Sequence, residues 1–199
     1  MSSPTPSAAL AAELLANLRH SFRSYQQLAD TALARLSPEE WLWRPEPESN
    51  SAAVIVQHLV GNLRSRFTDF WTADGEKPDR QRDREFEEPA TAAGVEALRQ
   101  QWAAAWPLLW AVFEHLEQYP EDWLRPVTIR QEPHTALAAL QRQATHYAYH
   151  TGQLVLLAKA RRGAGWLSLS IPRGQSEQFN AQMLARHGAS ANLAPGSGV

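Results

Sequence analysis

The chain has 199 residues, 19 Lys and Arg against 21 Asp and Glu, a formal charge of −2 and no cysteine. That length supports one domain with a substantial core. The near-balanced charge, with no run of Lys or Arg, disfavours a nucleic-acid partner bound through phosphate neutralisation. Without cysteine there is no disulfide, thiolate ligand or thiol nucleophile, so any metal site must be built from His, Asp, Glu or water.

After a short Pro/Ser lead, apolar residues recur at three- and four-residue spacing from about Ser7 to Leu36, including Leu10, Leu14, Leu18, Phe22 and Leu33, which predicts a long amphipathic helix. Ser37-Pro38-Glu39-Glu40 places an N-cap residue before a proline, the start of a helix of about one turn. Asn50 and Ser51 offer caps for a second long helix, Ala52 to Trp71. Residues 73–91, ADGEKPDRQRDREFEEPAT, are dense in charge and too polar to pack, a connection longer than most and of the kind that forms lids or pocket rims. A third long helix runs from Ala92 to Tyr119 with an interruption or kink expected at Pro107, and its Trp102, Trp106 and Trp110 form an aromatic ridge read as core. Pro120 to His134 reads as a connector, and Thr135 to Arg162 as the fourth long helix, ended by Lys159, Arg161, Arg162 and Gly163. Ala164 to Gln175 reads as extended and Ser176 to Arg186 as a short final helix. The expected division is one domain over residues 1–186 and a disordered tail over 187–199.

Chemistry concentrates in HYAYHTGQLVLLAKARRG, residues 146–163. His146 and His150 are one turn apart, about 40° around the helix, with Gln153 on the same stripe. Two such imidazoles make half of a metal site. Tyr147 stands where a metalloprotease helix carries its glutamate base, which rules out that chemistry. In the second long helix His58 shares a face with Asn62, Ser65 and Asp69, an unusually polar stripe to point inward. From periodicity alone, core or interface histidines and a solvent-facing His58 stay open as alternatives. His20, His115, His134 and His187 stand alone and match no ligand motif. If the second and fourth helices are neighbours, His58, His146 and His150 can converge and leave coordination positions open.

Taken together, SNSAAVIVQHLVGNLRSRFTDFW, TADGEKPDR, HYAYHTGQL and SIPRGQS resemble the DinB/YfiT-like metal-binding proteins, over about Trp41 to Asn180. The resemblance implies an all-α, up-down-down-up four-helix bundle, here with a short C-terminal extension. It also implies a divalent metal, zinc or nickel foremost, on His58, His146 and His150, and a homodimer. Some members use the metal to activate a low-molecular-weight thiol towards a small electrophile, so an S-transferase or isomerase type of enzyme is expected. Gln153 and Asn62 are then candidates for contacts behind the ligands or to substrate, Tyr149 for donation to a developing oxyanion, and Arg66 or Arg173 for holding an acidic substrate. The alternative is a non-catalytic metal-binding structural or stress-response protein with a closed fourth position and no cavity. A nucleic-acid or protein adaptor using Arg64, Arg66 and the 80–84 region ranks last. No apolar run approaches the roughly 20 residues of a membrane span, and the start MSSPTPSAALAAELL has neither the basic residues nor the apolar centre of a signal peptide. A soluble cytoplasmic protein is expected.

Overall fold

In the computed structural model of the chain, residues 6–89 and 91–187 are described; the expected tail beyond His187 lies outside them. The structure is mostly helical, with α1 (Pro6–Leu33), α2 (Pro38–Trp41), α3 (Ala52–Phe67), α4 (Ala92–Gln118), α5 (Ala136–Arg162) and α6 (Ser176–His187), and one short hairpin, β1 (Pro126–Ile129) and β2 (Glu132–Thr135). None of these helices is long and apolar enough to cross a membrane. The chain divides into two compact units, Met1–Gly163 and Ala164–Val199.

Local chemistry accounts for the helix starts. Ser37 caps α2 in a full capping box with Glu40, behind a proline at the first helical position. Ser51, Thr91 and Thr135 each accept a backbone N–H three residues on, Val54, Gly94 and Ala138, and so begin α3, α4 and α5. Gly163, at φ 53°, takes the left-handed conformation that ends α5. Lys159, Arg161 and Arg162 occupy its last turn, and Arg161 Nε also lies 3.2 Å from Glu40.

In the first unit each long helix packs on two others: α1 on α5 and α4, α3 on α4 and α5. Phe22 of α1 meets Phe113 of α4 and Tyr147 of α5 edge to face, with centroids 5.7 and 5.6 Å away. Arg19 donates to the Phe113 carbonyl and to Glu117, while eleven residues further along α1 Asp30 accepts from Trp102 Nε1 at 2.6 Å. Early α1 lies near early α5, since Leu10, Leu14 and Leu137 line one apolar hollow. His58 faces His146, and Phe67, at the end of α3, shares a small cavity with Ala139 near the start of α5. Of the predicted ridge, Trp102 and Trp106 are buried and Trp110 is half-buried. Burying each such aromatic stabilises by roughly 1.5–3 kcal/mol.

Four expectations change. Helix α3 stops at Phe67, not Trp71, because Thr68 is extended and Asp69 takes φ 49°; Asp69 is exposed and leaves the polar stripe. Helix α4 runs through Pro107 without interruption. The connector before α5 is a hairpin in register Ile129↔Glu132, with Arg130 and Gln131 both left-handed at φ 56° and 64°. Two consecutive non-glycine residues there are strained. Asp74 holds them by accepting both of their N–H groups, at 2.8 and 2.7 Å. Finally, the charged 73–91 segment does pack. It contains a 3-10 turn at Arg82–Phe86 that lies on α3 and buries Glu85.

The second unit contains α6 and a turn in which Gln175 N donates to the Pro172 carbonyl, with Gly174 at φ 76°. Leu167, Ile171, Phe179, Met183 and Leu184 are exposed.

Candidate metal centre

His58 projects from the middle of α3, and His146 and His150 from successive turns of α5. The helix pairing brings them together: each ring offers a nitrogen within 4.8 Å of the other two. The ring centroids are 5.2 Å (His58–His146), 5.0 Å (His58–His150) and 4.7 Å (His146–His150) apart. His58 is buried and the other two are half-buried.

The hydrogen bonds around the rings assign their nitrogens. Glu85, ionised and therefore only an acceptor, accepts a hydrogen bond from His58 Nδ1–H at 2.9 Å. On α5, His150 Nδ1 donates to Gln153 Oε1 at 2.7 Å. Both rings are left with a bare Nε2 lone pair. His58 Nε2 faces His146 Nε2 at 3.2 Å, and His146 Nδ1 is buried with no partner in the protein. Two bare nitrogens cannot satisfy each other, so that contact requires a proton on one of the two Nε2 atoms or a shared cation.

Electrostatics disfavour a charge on the two α5 rings. Burial, then the neighbouring His150 and His58 and the Arg66 and Arg80 guanidiniums, push the His146 pKa down to about 3. Burial and His58 also lower His150, against the opposing hydrogen bond that it donates to Gln153. Glu85 moves the other way from a buried acid: burial raises its pKa, but the bonds from His58 and Arg80 outweigh this and hold it ionised. Arg80 grips it bidentately, Nε to Oε1 at 2.7 Å and Nη2 to Oε2 at 2.9 Å.

The Glu85 segment is seated by several devices. Gln57 donates to the Arg84 and Glu87 carbonyls, and the Ser51 hydroxyl meets Glu88 at 2.8 Å. Phe86 stacks on His58 at 5.3 Å. Gly61, one turn from His58, lets the carboxylate lie against the helix, because a Cβ there would come within 2.1 Å of Glu85 Oε1. A cavity of about 180 Å³ opens beside the cluster, with His58, His146, Asn62 and Gln143 in its wall. A larger apolar hollow, about 480 Å³ near Leu14 and Trp123, has Glu121 as its one titratable wall residue.

A family model described as Protein of unknown function (DUF1572) matches residues 9–175. The chain belongs to this family. No curated protein and no solved structure matches it. The DUF1572 match spans all three histidines, Glu85 and the loop that carries it.

The other candidate residues are placed as follows. Gln153 touches His150. Asn62 does not reach His58 but accepts from the buried Tyr147 hydroxyl at 3.0 Å. Tyr149 is 63% exposed, its ring edge-on to His150. Arg66 is buried and occupied by Glu76 at 3.0 Å and by the Gly75 carbonyl. Arg173 lies in the second unit, exposed. Of the solitary histidines, His115 bonds Asp122 at 2.6 Å. Sequence reasoning missed the roles of Glu85, Arg80, Gly61 and Tyr147. The only local signal for the first two was an acid and a base in a loop too long for its job.

Proposed function

We propose that His58, His146 and His150 bind one divalent metal ion and that this protein is a metal-dependent enzyme of the DinB/YfiT-like kind. The observation that carries the reading is the pair of facing Nε2 atoms 3.2 Å apart, one on a ring whose Nδ1 already donates to Glu85. Ligands about 2.0–2.1 Å from a tetrahedral ion lie about 3.4 Å from one another, so His58 and His146 have the required spacing. The widest pair, up to 4.8 Å, would have to close by up to about 1.4 Å. The donor chemistry fits: neutral imidazoles suit zinc or nickel, and a carboxylate behind a ligating histidine fixes its tautomer and raises its basicity.

When bound, the metal supplies Lewis acidity that lowers the pKa of a thiol or water and makes it a nucleophile at neutral pH. The chain's own groups do the rest. Glu85 and Gln153 orient the His58 and His150 rings, Arg80 keeps Glu85 ionised, and the adjoining cavity gives a reactant room to approach. That cavity favours an open site over the non-catalytic structural reading. Helix contacts support the up-down-down-up bundle: the ends of α1 that meet α4 are opposite ends, whereas early α1 meets early α5. A low-molecular-weight thiol, a small electrophile and a homodimer complete the reading on the strength of the resemblance. Tyr149, beside His150, is the hydroxyl best placed to meet a reactant from the solvent side.

The test is elemental mass spectrometry on untagged protein, wild type beside His58→Ala, His146→Ala and His150→Ala, with a thiol-transfer assay on the loaded form. Near-stoichiometric metal lost in all three variants, with turnover in the wild type, is the expected result. No metal after reconstitution would refute the metal reading, and metal without thiol turnover would refute the transferase reading.

A further inference from the structure

Arginines line the cavity beside the histidine cluster. Arg66, Arg80, Arg82, Arg130 and Arg142 all contribute to its wall. The carboxylates that pair with them are Glu76, which meets Arg66, Arg80 and Arg130, and Glu85, which meets Arg80. Arg82 and Arg142 form no ion pair among the described residues; Arg82 lies over the Phe86 ring at 5.4 Å. The five guanidinium charges of the wall thus meet only two carboxylates, an excess of three. Such an excess around a concave site is costly through self-repulsion, and it focuses a strong positive potential on whatever enters.

The same wall contains buried polar atoms with no partner in the protein: Arg66 Nε, Gln143 Oε1 and His146 Nδ1. Arg66 and Gln143 are 6% and 3% exposed. Buried donors and acceptors are nearly always satisfied, so these sealed atoms are polar groups left unmatched behind the cavity wall. The cavity, about 180 Å³, has room for several waters or one small organic molecule.

From these observations we propose that the cavity binds a small organic dianion, of the dicarboxylate or organic-phosphate class, gripped by Arg142, Arg82 and Arg130 with one end beside His58 and His146. Guanidinium forks match both oxyanions bidentately. Arg66 is not the main contact, because Glu76 and the Gly75 carbonyl already occupy it. Arg130 is held at the cavity by its strained turn, which Asp74 pins. As the electrophile of the proposed reaction, the dianion rests on the metal reading above; its binding to the arginine wall does not require the metal.

The test is isothermal titration calorimetry on the full chain, chelator-treated and zinc-loaded in parallel, with malonate, ethyl phosphate and uncharged malonamide. Malonate, ethyl phosphate or both should bind the metal-free and loaded forms, and their relative affinities tell the two anion classes apart. Malonamide should not bind. Affinity should fall as NaCl is raised, since partly exposed charges are screened. Arg142→Gln and Arg82→Gln should each weaken binding on the order of tenfold, with thermal melts and zinc content unchanged because both side chains are exposed. Absence of binding by both anions, equal binding of malonamide, or unchanged affinity in both variants would overturn the proposal. Zinc bound without the anion would refute this inference and leave the metal reading standing; anion bound by a protein that takes up no metal would do the reverse.

Discussion

Replacing Gly61 by alanine places a Cβ 2.1 Å from Glu85 Oε1, 2.6 Å from its Cδ and 3.2 Å from its Cγ. An ordinary contact needs about 3.4 Å or more, so the carboxylate must retreat by more than an ångström. It can do so, being the end of a flexible side chain, but only by giving up His58 at 2.9 Å and the Arg80 fork at 2.7 and 2.9 Å. Breaking a buried charge pair costs about 3–5 kcal/mol. Alanine in place of glycine in a helix interior returns about 1 kcal/mol. The net is a destabilisation of about 2–4 kcal/mol, or roughly 5–15 °C in Tm for a domain of this size. If the cluster binds metal, loss of the Glu85 partner should also weaken it about 10–100-fold. Calorimetric melts and a zinc competition titration read both effects. The double variant Gly61→Ala/Glu85→Ala tests the mechanism, because with no carboxylate to displace, the added methyl should cost nothing further and the two changes should be strongly non-additive. A Gly61→Ala protein with a raised Tm and unchanged zinc affinity would show that Glu85 does not lie on α3 as described.

Removing the Tyr147 hydroxyl by Tyr147→Phe leaves Asn62 Oδ1 without its donor in a buried setting, and should cost about 1–3 kcal/mol in urea denaturation without changing metal content. Asp74→Ala frees the two left-handed N–H groups at Arg130 and Gln131 and should destabilise by about 1–3 kcal/mol; adding Arg130→Asn and Gln131→Gly, which accept that backbone readily, should restore most of the loss in thermal melts. The pH response of metal-free protein follows from His146, whose folded pKa of about 3 lies below its unfolded value of about 6.5. Between those values the unfolded chain binds the proton and the folded one does not, so stability present above pH ~6.5 is lost as pH falls, with His150 adding in the same direction. The urea midpoint should therefore be lower at pH 5 than at pH 7.5; a flat or rising profile would contradict the assigned protonation.

What the sequence determined by itself is what depends on near neighbours. Helix periodicity, the Ser37 capping box and the His146–His150 pair are all set within a few residues, so composition and spacing reveal them. The facing of α3 and α5, which brings His58 to that pair from 88 residues away, could be expected from the polar stripe but was decided by packing. The partners that give the cluster its chemistry were not legible. Glu85 lies 27 residues from His58 and Asn62 lies 85 from Tyr147. Neither contact has a local pattern, because a buried polar group takes whichever complementary group the tertiary fold delivers. The charged segment 73–91 looked too polar to bury for the same reason. Its charges are tolerable inside only when Arg80 and Glu85, and Arg66 and Glu76, meet with good geometry, and no one-dimensional count of charge contains that meeting.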